Sequence, residues 1–251
     1  MANRVLGEAL LARAIERHGG QELWQRVRGI DFVVRSLGGP LPRAKGLHRI
    51  LELPQRVRVE PQSGRVIWPE WPRPGLRGVY QGGRVAIVSQ STLAGSEPFP
   101  AESHRLTFAG LRKWRRWKQL DALYFFGYAL AHYLALPFSL ASAELIFARR
   151  LADGGGELWF RFPPGWHTHG RTEGFRFDRS GLLVRHDYRA EIIGQVACGA
   201  HRSLDYLEVE GLLVAQRRRV SAKIGHSWRA PCTPIPVLGA DLESWSIELG
   251  D

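Results

Sequence analysis

Apolar positions recur first at helical spacing and then, over most of the chain, at the two-residue spacing of strands. Val5, Leu6, Ala9, Leu10, Ala12, Ala14 and Ile15 predict an amphipathic helix from Val5 to His18, and Gly19-Gly20 supplies a left-handed stop. Gln21 to Val27 predicts one or two further turns, with Leu23 and Trp24 pointing inward. From Ile30 the period is two: Ile30, Phe32 and Val34, then Leu47, Leu51 and Leu53, then Val57 and Val59, then Arg65 to Trp68 read as strands. The proline-rich run from Trp68 to Gly75 is a loop, because proline brings no amide donor to a ladder. Leu76–Tyr80 and Arg84–Val88 flank Gln81-Gly82-Gly83 and read as a hairpin. Ser89 to Phe108 is turn-rich and no regular element is predicted there. Downstream, strands are predicted at Glu157–Phe162, Thr172–Phe177, Leu182–Ile193, His201–Val209, Leu212–Val220 and Leu242–Leu249, the fourth and fifth joined at Glu210-Gly211.

Between the two blocks of strands lies a different pattern. Arg112, Lys113, Trp114, Arg115, Arg116, Trp117 and Lys118 form a basic, tryptophan-bearing cluster, and Ala122 to Ala143 follow without one charged residue. About 20 apolar residues suffice to span a bilayer. Against a span stand Pro137, Gly127, the polar groups of Tyr124, Tyr128, His132 and Tyr133, and strands of one type on both sides. The expectation is an internal helix from Ala122 to Leu136, N-capped by Asp121 and covered on most sides. The basic cluster has three readings: a solvated face, a membrane-surface contact, or a nucleic-acid contact, for which no binding-module signature is present. The fold expected is mainly β (α+β), one domain over 1–251. A curved antiparallel sheet forms an incomplete β-barrel, with an N-terminal helix and a helical insertion at roughly 109–145 covering or filling its concave face.

Charge alters this picture in one respect. The net charge is +11, and only four of the 35 basic residues are lysines, so a general attraction to anionic surfaces is expected. Cys198 and Cys232 stand far apart and suit a reducing compartment. Glu8, Arg13 and Glu16 interrupt any apolar leader, so a cytoplasmic location with peripheral membrane contact is the expectation.

Candidate chemistry concentrates on histidines. Along Leu182–Ile192, His186 and Tyr188 share the apolar face with Val184 and Ile192, while Arg185, Asp187, Arg189 and Glu191 point to the solvent side. His167 and His169 are two apart, and His201 opens the next strand. Such histidines can ligate zinc, but no cysteine pair or HExxH accompanies them, and no metal or cofactor is expected. No G-x-S-x-G elbow, Walker sequence or strand-borne GxGxxG is present, and no catalytic residue is assigned.

The opening pattern, Ala12 to Phe32 with its Gly-Gly stop, Trp24 and first strand, resembles the start of the lipoprotein-carrier (LolA/LolB-like) superfamily. Asp121–Ala129 and Gly181–Tyr188 are similar to segments of an uncharacterised bacterial branch. The resemblance implies an incomplete barrel around helices, with an apolar cavity. Two departures stand: carriers are exported, whereas no signal peptide is read here, and none of their functional residues is placed on this chain. The expected function is non-catalytic binding of a lipid or other hydrophobic small molecule. Phe32, Tyr124, Tyr128, His132, His169, Phe175, Phe177, His186, Tyr188 and His201 are the expected contacts. The alternatives are an enzyme, metal-assisted in one form, using His169, His186 and His201, and a module binding anionic membrane through Arg112–Lys118.

Overall fold

The computed structural model describes residues 2–225, 227 and 229–250. In chain order the helices are α1 (Ala2–Arg17), α2 (Gln21–Arg26), α3 (Pro40–Ala44) and α4 (Gln119–Ala135). The strands are β1 (Val27–Gly38), β2 (Gln55–Glu60), β3 (Arg65–Trp68), β4 (Leu76–Gln81), β5 (Arg84–Ser89), β6 (Glu144–Arg150), β7 (Gly156–Arg161), β8 (Thr172–Phe177), β9 (Leu183–Arg189), β10 (Cys198–Val209), β11 (Leu212–Lys223) and β12 (Leu238–Leu249). Among the described residues all twelve belong to one antiparallel sheet, ordered β5-β4-β3-β2-β1-β12-β11-β10-β9-β8-β7-β6, which is not closed into a barrel. Among the described residues no helix is long and apolar enough to cross a membrane.

The chain divides into two compact units. One consists of Met1–Arg26 and Ala135–Val237. Here α1 ends as its glycines predict: Gly19 N–H donates to Glu16 O and Gly20 N–H to Ile15 O, with φ of 120° and 83°. Trp24 of α2 stacks on Phe138 at 4.5 Å. The β10–β11 hairpin turns at Glu210-Gly211, both at positive φ. Asn3 Oδ1 accepts the Ala148 N–H at 2.9 Å, so the start of α1 satisfies a donor on β6, an end strand of the sheet. The strand expected over Leu182–Ile193 ends at Arg189, because Ala190 N–H turns to Ala197 O at 2.8 Å. No strand was expected at β6; a register shift between Leu145 and Phe147 breaks its alternation.

His18 lies at the C-terminal end of α1, buried, with Nδ1 2.8 Å from Ala14 O. Burial lowers its pKa and outweighs the Ala14 carbonyl, which raises it. The folded value therefore sits below the unfolded value of about 6.5. Its contribution to stability is complete above that pH and is lost as pH falls through the folded value. The thermal midpoint is expected to drop between about pH 7 and about pH 5. His18→Gln should make that drop shallower, and an unchanged pH profile would remove His18 as its source.

The other unit consists of Val27–Leu134 and Leu238–Asp251. Its β1 lies between β2 and β12 in the sheet order. Arg58 of β2 clips these three strands: its guanidinium crosses Gly29, meeting Asp31 of β1 at 2.7 Å and Glu248 of β12. The β4–β5 hairpin turns on Gly82 and Gly83, both at positive φ. The strand expected over 47–53 is absent. Gly46, at φ 77°, starts a 3-10 turn at Leu47–Arg49, after α3 with its prolines in the first turn, and β1 pairs directly with β2. The turn-rich segment before α4 buries Glu97, whose carboxylate meets Arg65 at 2.6 Å and Arg77 at 3.0 Å.

The central helix forms where expected, starting at Gln119 rather than Ala122 and stopping before Pro137. Asp121 is not its N-cap but its third residue, reaching back to accept the Lys118 N–H at 2.7 Å, the second half of a capping box. Two glycines let the helix and its surroundings approach closely. A Cβ on Gly127 would lie 2.4 Å from Tyr80 of β4, and one on Gly78 would meet Trp71 at 2.8 Å and Leu123 at 2.9 Å.

Candidate functional site

Strands β8, β9 and β10 bring the predicted histidines of the first unit together. The register sets Phe175 opposite His186 and His186 opposite His201, one row across three strands. Phe175 stacks on His186 at 4.6 Å, and the His186 and His201 rings are 6.1 Å apart. His169 stacks on Tyr188 at 3.8 Å. His186 Nε2 lies 2.7 Å from Glu173 Oε2, and Glu173 Oε1 accepts the Gly170 N–H at 3.0 Å. Phe175, Phe177, His169, His186, His201 and Glu173 are all fully or almost fully buried. Side chains without accessible surface border no space that water can enter.

A carboxylate holding an imidazole is the orienting half of a nucleophile–base arrangement, but here it is sealed from solvent. Sequence reading missed Glu173, although it shares a face of β8 with Phe175 and Phe177 by two-residue alternation. Asp187 was expected on a solvent face and is instead fully buried, because that face of β9 is occupied as well. Arg185 donates to its carboxylate at 2.6 and 2.9 Å, and Lys223 of β11 also pairs with it. Cys232 Sγ lies 3.9 Å from Arg185 Nη2 beside this cluster.

The remaining predicted contacts belong to the second unit. Phe32 of β1 stacks on Trp245 at 4.7 Å, Tyr124 packs on Tyr128 at 5.2 Å and on Tyr80 at 6.0 Å, and His132 is buried near Tyr133. The basic cluster divides. Trp117 faces inward, and its backbone N–H donates to Lys45 O at 3.0 Å; Arg115 Nη2 pairs with Asp121 at 3.0 Å. Lys113 is half-buried, and Arg112, Trp114, Arg116 and Lys118 are exposed. Burial pushes the Asp121 carboxyl up, but His104, the Lys118 N–H and Arg115 outweigh it and hold it below the usual carboxylate range.

A concave site that no periodicity marked lies in the first unit, between α1 and β6. It has a volume of about 680 Å³. Gly7 and Leu11 from α1 and Leu145 and Ile146 from β6 give its apolar surface, Leu140 and Phe160 are packed beneath it, and Arg4, Glu8 and Glu144 are among the charged residues bordering it. Gly7 makes the close packing: a Cβ there would sit 2.2 Å from Leu145 Cδ2. Arg4 pairs with Glu8 at 2.8 Å and Glu144 with Arg161 at 3.0 Å, both exposed to solvent. Phe160 leads back to the histidine row, its ring 6.0 Å from Phe175.

No protein-family model and no curated protein matches the chain. Two solved structures are similar in fold. One, a LolA superfamily protein from Nitrosomonas europaea, shares 13% identity over 97% of this chain and 94% of its own, at TM-score 0.49. The other, a DUF1329 family protein from Desulfovibrio piger, shares 12% identity over 98% of this chain and 94% of its own, at TM-score 0.48.

Proposed function

We propose that the protein is a binding protein for a lipid or other hydrophobic small molecule, held without catalysis. The observation that carries this reading is the groove between α1 and β6. Its volume of about 680 Å³ falls in the range of sites that enclose small ligands, roughly 300–1,000 Å³. The apolar patch of Leu11, Leu145 and Ile146 suits part of an acyl or ring body, and the ion pairs that make up much of the border suit a polar head. Phe175, Phe177, His186 and Tyr188 act as the packed layer that supports the groove through Phe160, rather than as direct contacts.

Native mass spectrometry of the protein as isolated, followed by solvent extraction, tests the reading. A bound apolar molecule is expected, and Ala143→Trp, placed on the groove wall, should abolish most of it while leaving thermal unfolding unchanged. Protein that carries nothing and takes up no added fluorescent fatty acid sinks the proposal, as does a variant that binds as well as the parent.

A further inference from the structure

The segment before α4 holds its apolar side chains in an arrangement that folding alone does not explain. Two 3-10 turns, His104–Phe108 and Gly110–Trp114, abut at Ala109. Phe108 of the first turn and Trp117, three residues past the second, are buried and pack edge to face at 6.2 Å, fixing the segment to its unit. Lys45 adds a brace: its Nζ donates to Lys113 O and lies 5.5 Å from the Trp117 ring centre. Arg115 and the Lys118 N–H are both tied to Asp121. On this braced frame Leu111 is 86% exposed, Trp114 69%, Leu106 62% and Leu120 38%. From Ser103 to Leu120 there is no carboxylate, but there are six cations: Arg105, Arg112, Lys113, Arg115, Arg116 and Lys118.

We propose that this surface docks on anionic phospholipid membrane, with Leu111 and Trp114 entering the interface and Arg112, Arg116 and Lys118 meeting lipid phosphates. Apolar surface presented to water on a rigid turn loses nothing on entering the headgroup region, because few side chains need reordering. Tryptophan settles at the membrane–water boundary, and each nearby Lys or Arg is attracted to an anionic leaflet. Leucine side chains offer no stacking face to a base, so the three leucines favour a lipid surface over nucleic acid. The inference is independent of the groove between α1 and β6.

Co-sedimentation of the intact protein with vesicles tests it. Binding is expected to vesicles of phosphatidylcholine mixed with phosphatidylglycerol, weakening as salt rises, with little binding to phosphatidylcholine alone. Leu111→Ser and Trp114→Ser should each weaken binding by about tenfold, since burying either side chain is worth at least one decade. Arg112→Glu with Arg116→Glu should weaken it further. These side chains are exposed, so unchanged thermal unfolding checks that the variants fold. No binding to the anionic vesicles overturns the proposal, as does equal binding by the Leu111 and Trp114 variants. Tighter binding to DNA than to the vesicles at the same salt also overturns it.

Discussion

Asp187→Ala should destabilise the protein by about 3–5 kcal/mol, the effect of breaking a buried ion pair from one side. The carboxylate has no accessible surface, and it is shared by Lys223, 5% exposed, and by the Arg185 fork at 2.6 and 2.9 Å. Without it Arg185 and Lys223 lose the carboxylate they share, and the Lys223 side chain, 2% exposed, is cut off from water. Lys223→Met in the same background should recover part of the loss, because it removes one of the stranded charges. Chemical denaturation of the single and double variants measures both terms. A single variant within about 1 kcal/mol of the parent would show that water reaches the cluster.

Gly127→Leu should destabilise by about 3 kcal/mol or more through overpacking. The gain in helix propensity, about 1 kcal/mol for losing a glycine, is too small to offset it. The first carbon alone would lie 2.4 Å from Tyr80 Cβ and Cγ. Tyr80 cannot swing aside freely, since it is buried and edge-packed against Tyr124. Gly127→Ala separates the two effects: a loss smaller than that for leucine is expected, and a gain in thermal midpoint would show that the β4 side yields.

Much of the sheet was legible because its strands alternate: β3 and β8 run over the residues that the period selects. The same alternation put His186 and Tyr188 on one face, and followed one strand further it would have put Glu173 beside Phe175. The region 40–53 misled because leucine spacing there mimics a strand, while Gly46 and the prolines set the backbone. Asp187 was misplaced because period two separates faces without saying which of them is covered. Lys223, 36 residues further on, supplies the cover's charge. The α1–β6 groove could not be read at all. It needs a helix and a strand more than a hundred residues apart, and the strand's own signal is broken by a bulge.

The pairing of β1 with β12, from Val27 opposite Leu249 to Gly38 opposite Gly239, also bears on how fast the sheet can form. The two strands are separated by on the order of two hundred residues, so their union has the high contact order that slows folding. In the folded sheet β1 is flanked by β2, roughly twenty residues on, and by β12 at the far end of the chain, so its two flanks differ widely in the loop that must be closed. The register shifts of the β1–β12 ladder and the contact of Glu248 with Arg58 are then expected to form late, as this long-range closure is made.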